Sequence, residues 1–153
     1  MIKNIAHIGL TVRDLDRSIE FYRDVLGLDY KGYMYMEGES TDRLFDGKGI
    51  RAKVAYLSPM SGEGCLDVEL IEFERGEVKD DEPSLFKTSI SELCFGVEDI
   101  EEFYKDLLDK GVEVMSQPQA FDSTEYGFGK SKALYFYDPD GNILEAIESL
   151  DWY

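Results

Sequence analysis

His7 is the only histidine among 153 residues, and it opens the alternating segment His7-Ile8-Gly9-Leu10-Thr11-Val12. Glu92 opens a second segment of the same pattern, Glu92-Leu93-Cys94-Phe95-Gly96-Val97. Two more acids match each other: Glu69 in Glu69-Leu70-Ile71-Glu72 and Glu145 in Glu145-Ala146-Ile147-Glu148. Strand interiors disfavour carboxylates, and a buried one needs a partner. Taken singly, each glutamate reads as a solvated strand residue and His7 as a structural one. Taken together, one histidine and three carboxylates at matching positions would repel in a shared cavity and raise one another's carboxyl pKa. A divalent cation would relieve that repulsion. With one histidine a multi-His zinc site is excluded, and a Ser-His-Asp triad would have to use His7.

The elements that must position these groups come in two copies. In each, an alternating strand runs into a helix carrying Phe-Tyr-basic-Asp: Phe21-Tyr22-Arg23-Asp24 and Phe103-Tyr104-Lys105-Asp106. Gly27 and Gly111 sit where a glycine closes a helix. Leu15, Ile19, Tyr22 and Leu26 form one helical stripe, and Ile100, Phe103, Leu107 and Leu108 the other. Asp99 with Glu102 makes an acidic capping box. Asp138-Pro139-Asp140-Gly141-Asn142 is a tight-turn sequence joining strands over Ala133–Tyr137 and Ile143–Ile147. The polar stretch Arg75–Pro83 connects the halves. The pattern predicts a duplicated α+β unit of strand, helix and about three strands, with residues 1–80 as the first module and 84–153 as the second. Period-two alternation puts Ile8, Leu10 and Val12 under the helix and His7, Gly9 and Thr11 on the other face.

Composition narrows the partners. Sixteen Lys+Arg against 33 Asp+Glu leave a net charge of −17, which argues against nucleic acid and against anionic lipid. No apolar run approaches the ~18 residues of a membrane span, and the N-terminus does not read as a targeting segment. Cys65 and Cys94 are too few for a disulfide scaffold and read as buried thiols in a reducing cytoplasm.

These segments, with Tyr135-Phe136-Tyr137-Asp138-Pro139-Asp140-Gly141-Asn142-Ile143-Leu144-Glu145, resemble the vicinal oxygen chelate superfamily of glyoxalase I, methylmalonyl-CoA epimerase, extradiol dioxygenases and bleomycin-resistance proteins. The resemblance implies two βαβββ modules forming a cupped mixed sheet around a central cavity. It assigns metal ligands to His7, Glu69, Glu92 and Glu145. Glu92 departs from the family, where histidine is common. Extradiol dioxygenases and fosfomycin-resistance enzymes use two histidines and are disfavoured on that count. One histidine and three carboxylates favour Mn or Mg over Zn, with Co and Ni also compatible.

The resemblance further implies a metal-dependent isomerase or lyase of epimerase, racemase or glyoxalase type. Such an enzyme removes the proton α to a carbonyl of a small molecule, with Glu69 and Glu145 as the catalytic carboxylates. The alternative is a drug-binding protein of bleomycin-resistance type that catalyses nothing. A homodimer is expected, with Trp152-Tyr153 as a packing surface. Tyr33, Tyr35, Tyr56, Tyr126, Tyr135 and Tyr137 are candidates to line a pocket, or else strand packing residues. Phe121–Lys132 is a candidate mobile cover. Lys48, Arg51 and Lys53, with Lys130 and Lys132, form basic clusters that read as solvated surface or as anchors for an anionic substrate.

Overall fold

The computed structural model describes residues 2–59 and 66–151. The chain divides into two compact units, Met1–Asp80 and Asp81–Tyr153. The first contains β1 (His7–Thr11), α1 (Leu15–Glu20) running into a π-helical turn (Phe21–Val25), β2 (Asp29–Glu37), α2 (Glu39–Leu44), β3 (Arg51–Ser58) and β4 (Asp67–Arg75). The second contains β5 (Leu93–Gly96), α3 (Ile100–Asp109), β6 (Gln119–Asp122), a 3-10 turn (Thr124–Tyr126), β7 (Lys130–Tyr137) and β8 (Ile143–Ser149). Each forms a four-stranded mixed sheet, ordered β1-β4-β3-β2 and β5-β8-β7-β6. In both, the first strand is parallel to the last and the other neighbours are antiparallel. The architecture is α+β, as the duplicated sequence pattern predicts.

Both strand-to-helix entries use the same chemistry. Asp14 accepts from Arg17 N, and Asp99 accepts from Glu101 N and Glu102 N. These bonds satisfy amides that have no partner within the helix. The second glutamate of each sheet motif then reaches the first helical residue. Glu72 Oε2 accepts from Leu15 N at 2.5 Å, and Glu148 Oε2 accepts from Ile100 N at 3.0 Å. A carboxylate there also meets the positive end of the helix dipole. The two glutamates of each motif are three residues apart in a strand, an odd spacing, so they point to opposite sheet faces. Glu72 and Glu148 anchor helices, which leaves Glu69 and Glu145 on the face away from them.

The helix face carries the core. Leu15, Tyr22, Ala55, Leu57 and Leu70 are fully buried in the first unit, as are Ile100, Leu107, Phe136, Leu144 and Ala146 in the second. The Phe103 ring meets Phe136 edge-on at 5.7 Å. Leu108 leaves its predicted stripe and is 47% exposed, because 100° per residue carries it past the seam that Ile100 and Leu107 share. Phe121–Lys132, the candidate cover, forms a hairpin: Phe121 and Lys130 to Lys132 lie in strands, and Ser123 N donates to Gly129 O at 2.8 Å. Asp122 accepts from both Thr124 N and Thr124 Oγ1, which closes the turn. The buried Asp138 organises the turn before β8 by accepting from Asp140 N, Asn142 N and Asn142 Nδ2. Cys65 and Trp152-Tyr153 lie outside the described residues.

Candidate functional site

In the first unit, register puts Gly9 of β1, Glu69 of β4 and Tyr56 of β3 in one row across the sheet. The Tyr56 phenol donates to Glu69 Oε1 at 2.6 Å, and His7 Nε2 stands 3.3 Å from Glu69 Oε2. The Glu69 side chain is 13% exposed and that of His7 43%. Gly9 makes this approach possible: a Cβ there would come within 3.1 Å of Glu69 Oε2. The phenol of Tyr56 is pushed up to about 12, first by its hydrogen bond to Glu69, then by burial and the negative charge of Glu69.

The second unit repeats the row with Cys94, Glu145 and Tyr135. The Cys94 thiol hydrogen-bonds to Glu145 and is pushed up to about 12 by burial of the sulfur, that bond, and the charges of Glu145 and Glu92. Cys94 as a residue is nevertheless exposed, where the sequence pattern suggests a buried thiol. It lies on the glutamate face of a short strand rather than under the helix. Tyr135 is raised by burial and then by Glu145 and Glu92. Glu92 stands one residue ahead of β5, half-buried, within electrostatic reach of both Cys94 and Tyr135.

The structure thus sets out the four expected residues as two pairs: His7 with Glu69, and Glu92 in the neighbourhood of Glu145. Among the described residues no group of three or more His, Cys, Asp and Glu stands together as a metal cage. The first pair has the spacing of two ligands. Donors about 2.1 Å from one ion at 90–110° lie roughly 3.0–3.4 Å apart, and His7 and Glu69 are 3.3 Å apart. Imidazole and carboxylate together suit a first-row divalent ion.

Tyr56 and Tyr135 as glutamate partners escape a reading along the chain, because the row runs across strands. The signal available in sequence is a tyrosine on the strand before each glutamate. Parity divides the other aromatics. Tyr33 and Tyr35 pair with Ala55 and Lys53, so they lie on the face opposite Glu69. There Lys53 Nζ sits 4.6 Å over the Tyr33 ring and the Arg51 guanidinium 4.3 Å over that of Tyr35. Arg51 also pairs with Glu37 and Glu74, and Lys53 with Asp16. Lys132 pairs with Glu101 on α3 and Lys130 with Asp122. Tyr126, in the 3-10 turn, is 73% exposed.

The model of the Glyoxalase/Bleomycin resistance protein/Dioxygenase superfamily matches residues 4–146. The chain belongs to this superfamily. Within the glyoxalase superfamily it is 30% identical over 146 residues to the uncharacterized protein YraH of Bacillus subtilis, covering 95% of this chain and 98% of that one. It is 29% identical to the metallothiol transferase FosB of Staphylococcus epidermidis, covering 95% and 83%. It is 28% identical to the lactoylglutathione lyase of Haemophilus influenzae, covering 95% and 92%. A glyoxalase family protein of Bacillus cereus shares the fold, with a TM-score of 0.82 at 22% identity over 98% of this chain and 96% of that one. Overall similarity does not set apart the fosfomycin-resistance branch that the histidine count disfavours: the chain is 29% identical to FosB and 28% identical to the lyase.

Proposed function

We propose that the protein is a metal-dependent isomerase or lyase of the glyoxalase superfamily that removes a proton α to the carbonyl of a small molecule. Its relatives include a lyase and a transferase, which supports enzymatic activity in general. The observation that carries the finer reading is the unequal partnering of two equivalent glutamates. Glu69 is engaged at both oxygens, by Tyr56 and His7. Glu145 has beside it the Cys94 thiol, a weak donor whose pKa it raises. Glu69 is therefore held as a ligand, and Glu145 keeps the lone pairs a base needs.

His7 and Glu69, 3.3 Å apart, would hold the divalent ion. When bound, the ion supplies positive charge where negative charge develops on the substrate oxygen. The Glu145 carboxylate takes the α-proton, the C–H electron pair moves into the new C=C bond, and the carbonyl π pair moves onto oxygen. Return of the proton to the same or the neighbouring carbon completes the isomerisation. Tyr56 keeps Glu69 in place throughout by donating its phenol hydrogen to Oε1.

Solvent deuterium exchange at the α-carbon, read by NMR alongside metal content per chain, tests this reading. Exchange that is lost in Glu145→Gln, with a retained fold, is the expected result. Stoichiometric ligand binding with no exchange in the metal-loaded wild type would replace the enzyme with a binding protein.

A further inference from the structure

The row beside Gly9–Glu69–Tyr56 carries a second carboxylate. Asp67 opens β4, and register pairs it with His7 on β1. It stands two residues before Glu69, so it shares the Glu69 face at a rise of about 6.6 Å along the strand. Ser58, at the end of β3, donates from Oγ to Asp67 Oδ1, as Tyr56 donates to Glu69 Oε1. Two successive rows of one sheet thus hold a carboxylate on β4 by a hydroxyl on β3. The charge of Asp67 also contributes to the raised pKa of the Tyr56 phenol, which sets it within electrostatic reach of the Tyr56–Glu69 bond. All five groups belong to the first unit.

The duplicated pattern shows what the fold itself asks for at this position. Glu145 corresponds to Glu69 and Tyr135 to Tyr56, and the next row of the second sheet pairs Tyr137 with Ile143. Ile143, the counterpart of Asp67, is 4% exposed. An apolar residue therefore serves the start of this strand, and strand positions disfavour Asp. In the first unit the same position holds a half-buried carboxylate directly across from His7.

A carboxylate one row from a divalent ion adds favourable charge and accepts hydrogen bonds from the water that ions such as Mn and Mg keep. Among the described residues Asp67 forms no three-residue cage with His7 and Glu69, so it would act through such water rather than by direct ligation. We propose that Asp67, oriented by Ser58, supports from the neighbouring row the divalent ion held by His7 and Glu69. This inference rests on the reading of His7 and Glu69 as the ion-binding pair, and it deepens that reading by adding the groups that strengthen their hold.

The test titrates Mn²⁺ into the full chain after dialysis against a chelator and reads free Mn²⁺ by electron paramagnetic resonance. Asp67→Asn removes the charge while keeping a carbonyl acceptor for Ser58. It is expected to weaken Mn²⁺ binding about tenfold, the low end for residues that support metal ligands. Metal-free Asp67→Asn should unfold in urea close to wild type, which separates lost affinity from a damaged fold. Ser58→Ala should weaken binding about threefold, as for one lost hydrogen bond. It should add nothing in the Asp67→Asn background, because both changes act through one carboxylate. Asp16→Asn, which removes one charge from α1 of the same unit, should change binding less than about twofold in about 0.15 M salt. Wild-type affinity in Asp67→Asn, an equal loss in Asp16→Asn, or additive losses in the double variant each overturns the proposal. Glu69→Gln separates it from the reading beneath. If Glu69→Gln abolishes binding while Asp67→Asn leaves it intact, the ion-binding pair stands and Asp67 drops out. If Glu69→Gln binds as wild type does, or wild type binds no Mn²⁺, the pair falls and Asp67 with it.

Discussion

Tyr56 donates its phenol hydrogen to Glu69 Oε1 at 2.6 Å, across the β3–β4 ladder. The bond holds a mid-strand carboxylate that would otherwise be poorly compensated, and it leaves the second oxygen turned toward His7. Tyr56→Phe should therefore lower stability by about 1.5–3 kcal/mol, the range for a hydrogen bond to a charged group. Urea unfolding checks this. Metal affinity should fall as well, since Glu69 loses its orientation.

The same bond predicts a pH dependence. The folded-state pKa of Tyr56, about 12, lies above its ordinary value of 10.0. Because the neutral phenol is the form favoured in the native state, its contribution is complete below pH 10 and is lost as pH rises toward 12. The stability gap between wild type and Tyr56→Phe in metal-free protein should be constant from pH 7 to 9 and shrink above pH 10.

Gly9→Ala tests the close approach. The new Cβ would sit 3.1 Å from Glu69 Oε2, so the carboxylate must shift by a few tenths of an ångström. Loss of metal affinity by about 10–100-fold is expected, as for disturbed supports of a ligand. The fold should change little, because Gly9 is exposed. Undiminished metal content after dialysis would contradict the role of Glu69.

Glu148→Gln should weaken the anchor of α3, where Glu148 meets Ile100 N at 3.0 Å. A cost of about 0.5–2 kcal/mol, as for other lost caps, is expected without any change in metal content. Glu145→Gln, three residues earlier on the opposite face, should do the reverse. Turnover should drop by about 10²–10⁴-fold, the usual contribution of a general base, with stability nearly preserved.

Removing the metal should lower stability in proportion to its binding. An ion present at 100 times its dissociation constant contributes about 2.7 kcal/mol. Thermal unfolding with and without a chelator, then with Mn, Mg, Co, Ni or Zn restored, measures the term and ranks the ions.

The duplicated layout was legible along the chain because it is written in local terms. Asp14 and Asp99 cap helices within three residues of themselves, Gly27 and Gly111 close helical segments with φ of +74° and +71°, and strand alternation alone separates His7 and Gly9 from Ile8 and Leu10. Those features depend on neighbours in sequence, so residue type and spacing determine them. What required the tertiary structure is everything that runs across strands. The Gly9–Glu69–Tyr56 and Cys94–Glu145–Tyr135 rows join residues far apart in the chain, and only ladder register brings them side by side. The same register turned Tyr33, Tyr35, Arg51 and Lys53 away from Glu69, because a pleated strand sends successive side chains to opposite faces. It also gave the paired glutamates of each motif separate tasks, Glu72 and Glu148 on helices and Glu69 and Glu145 on the site face.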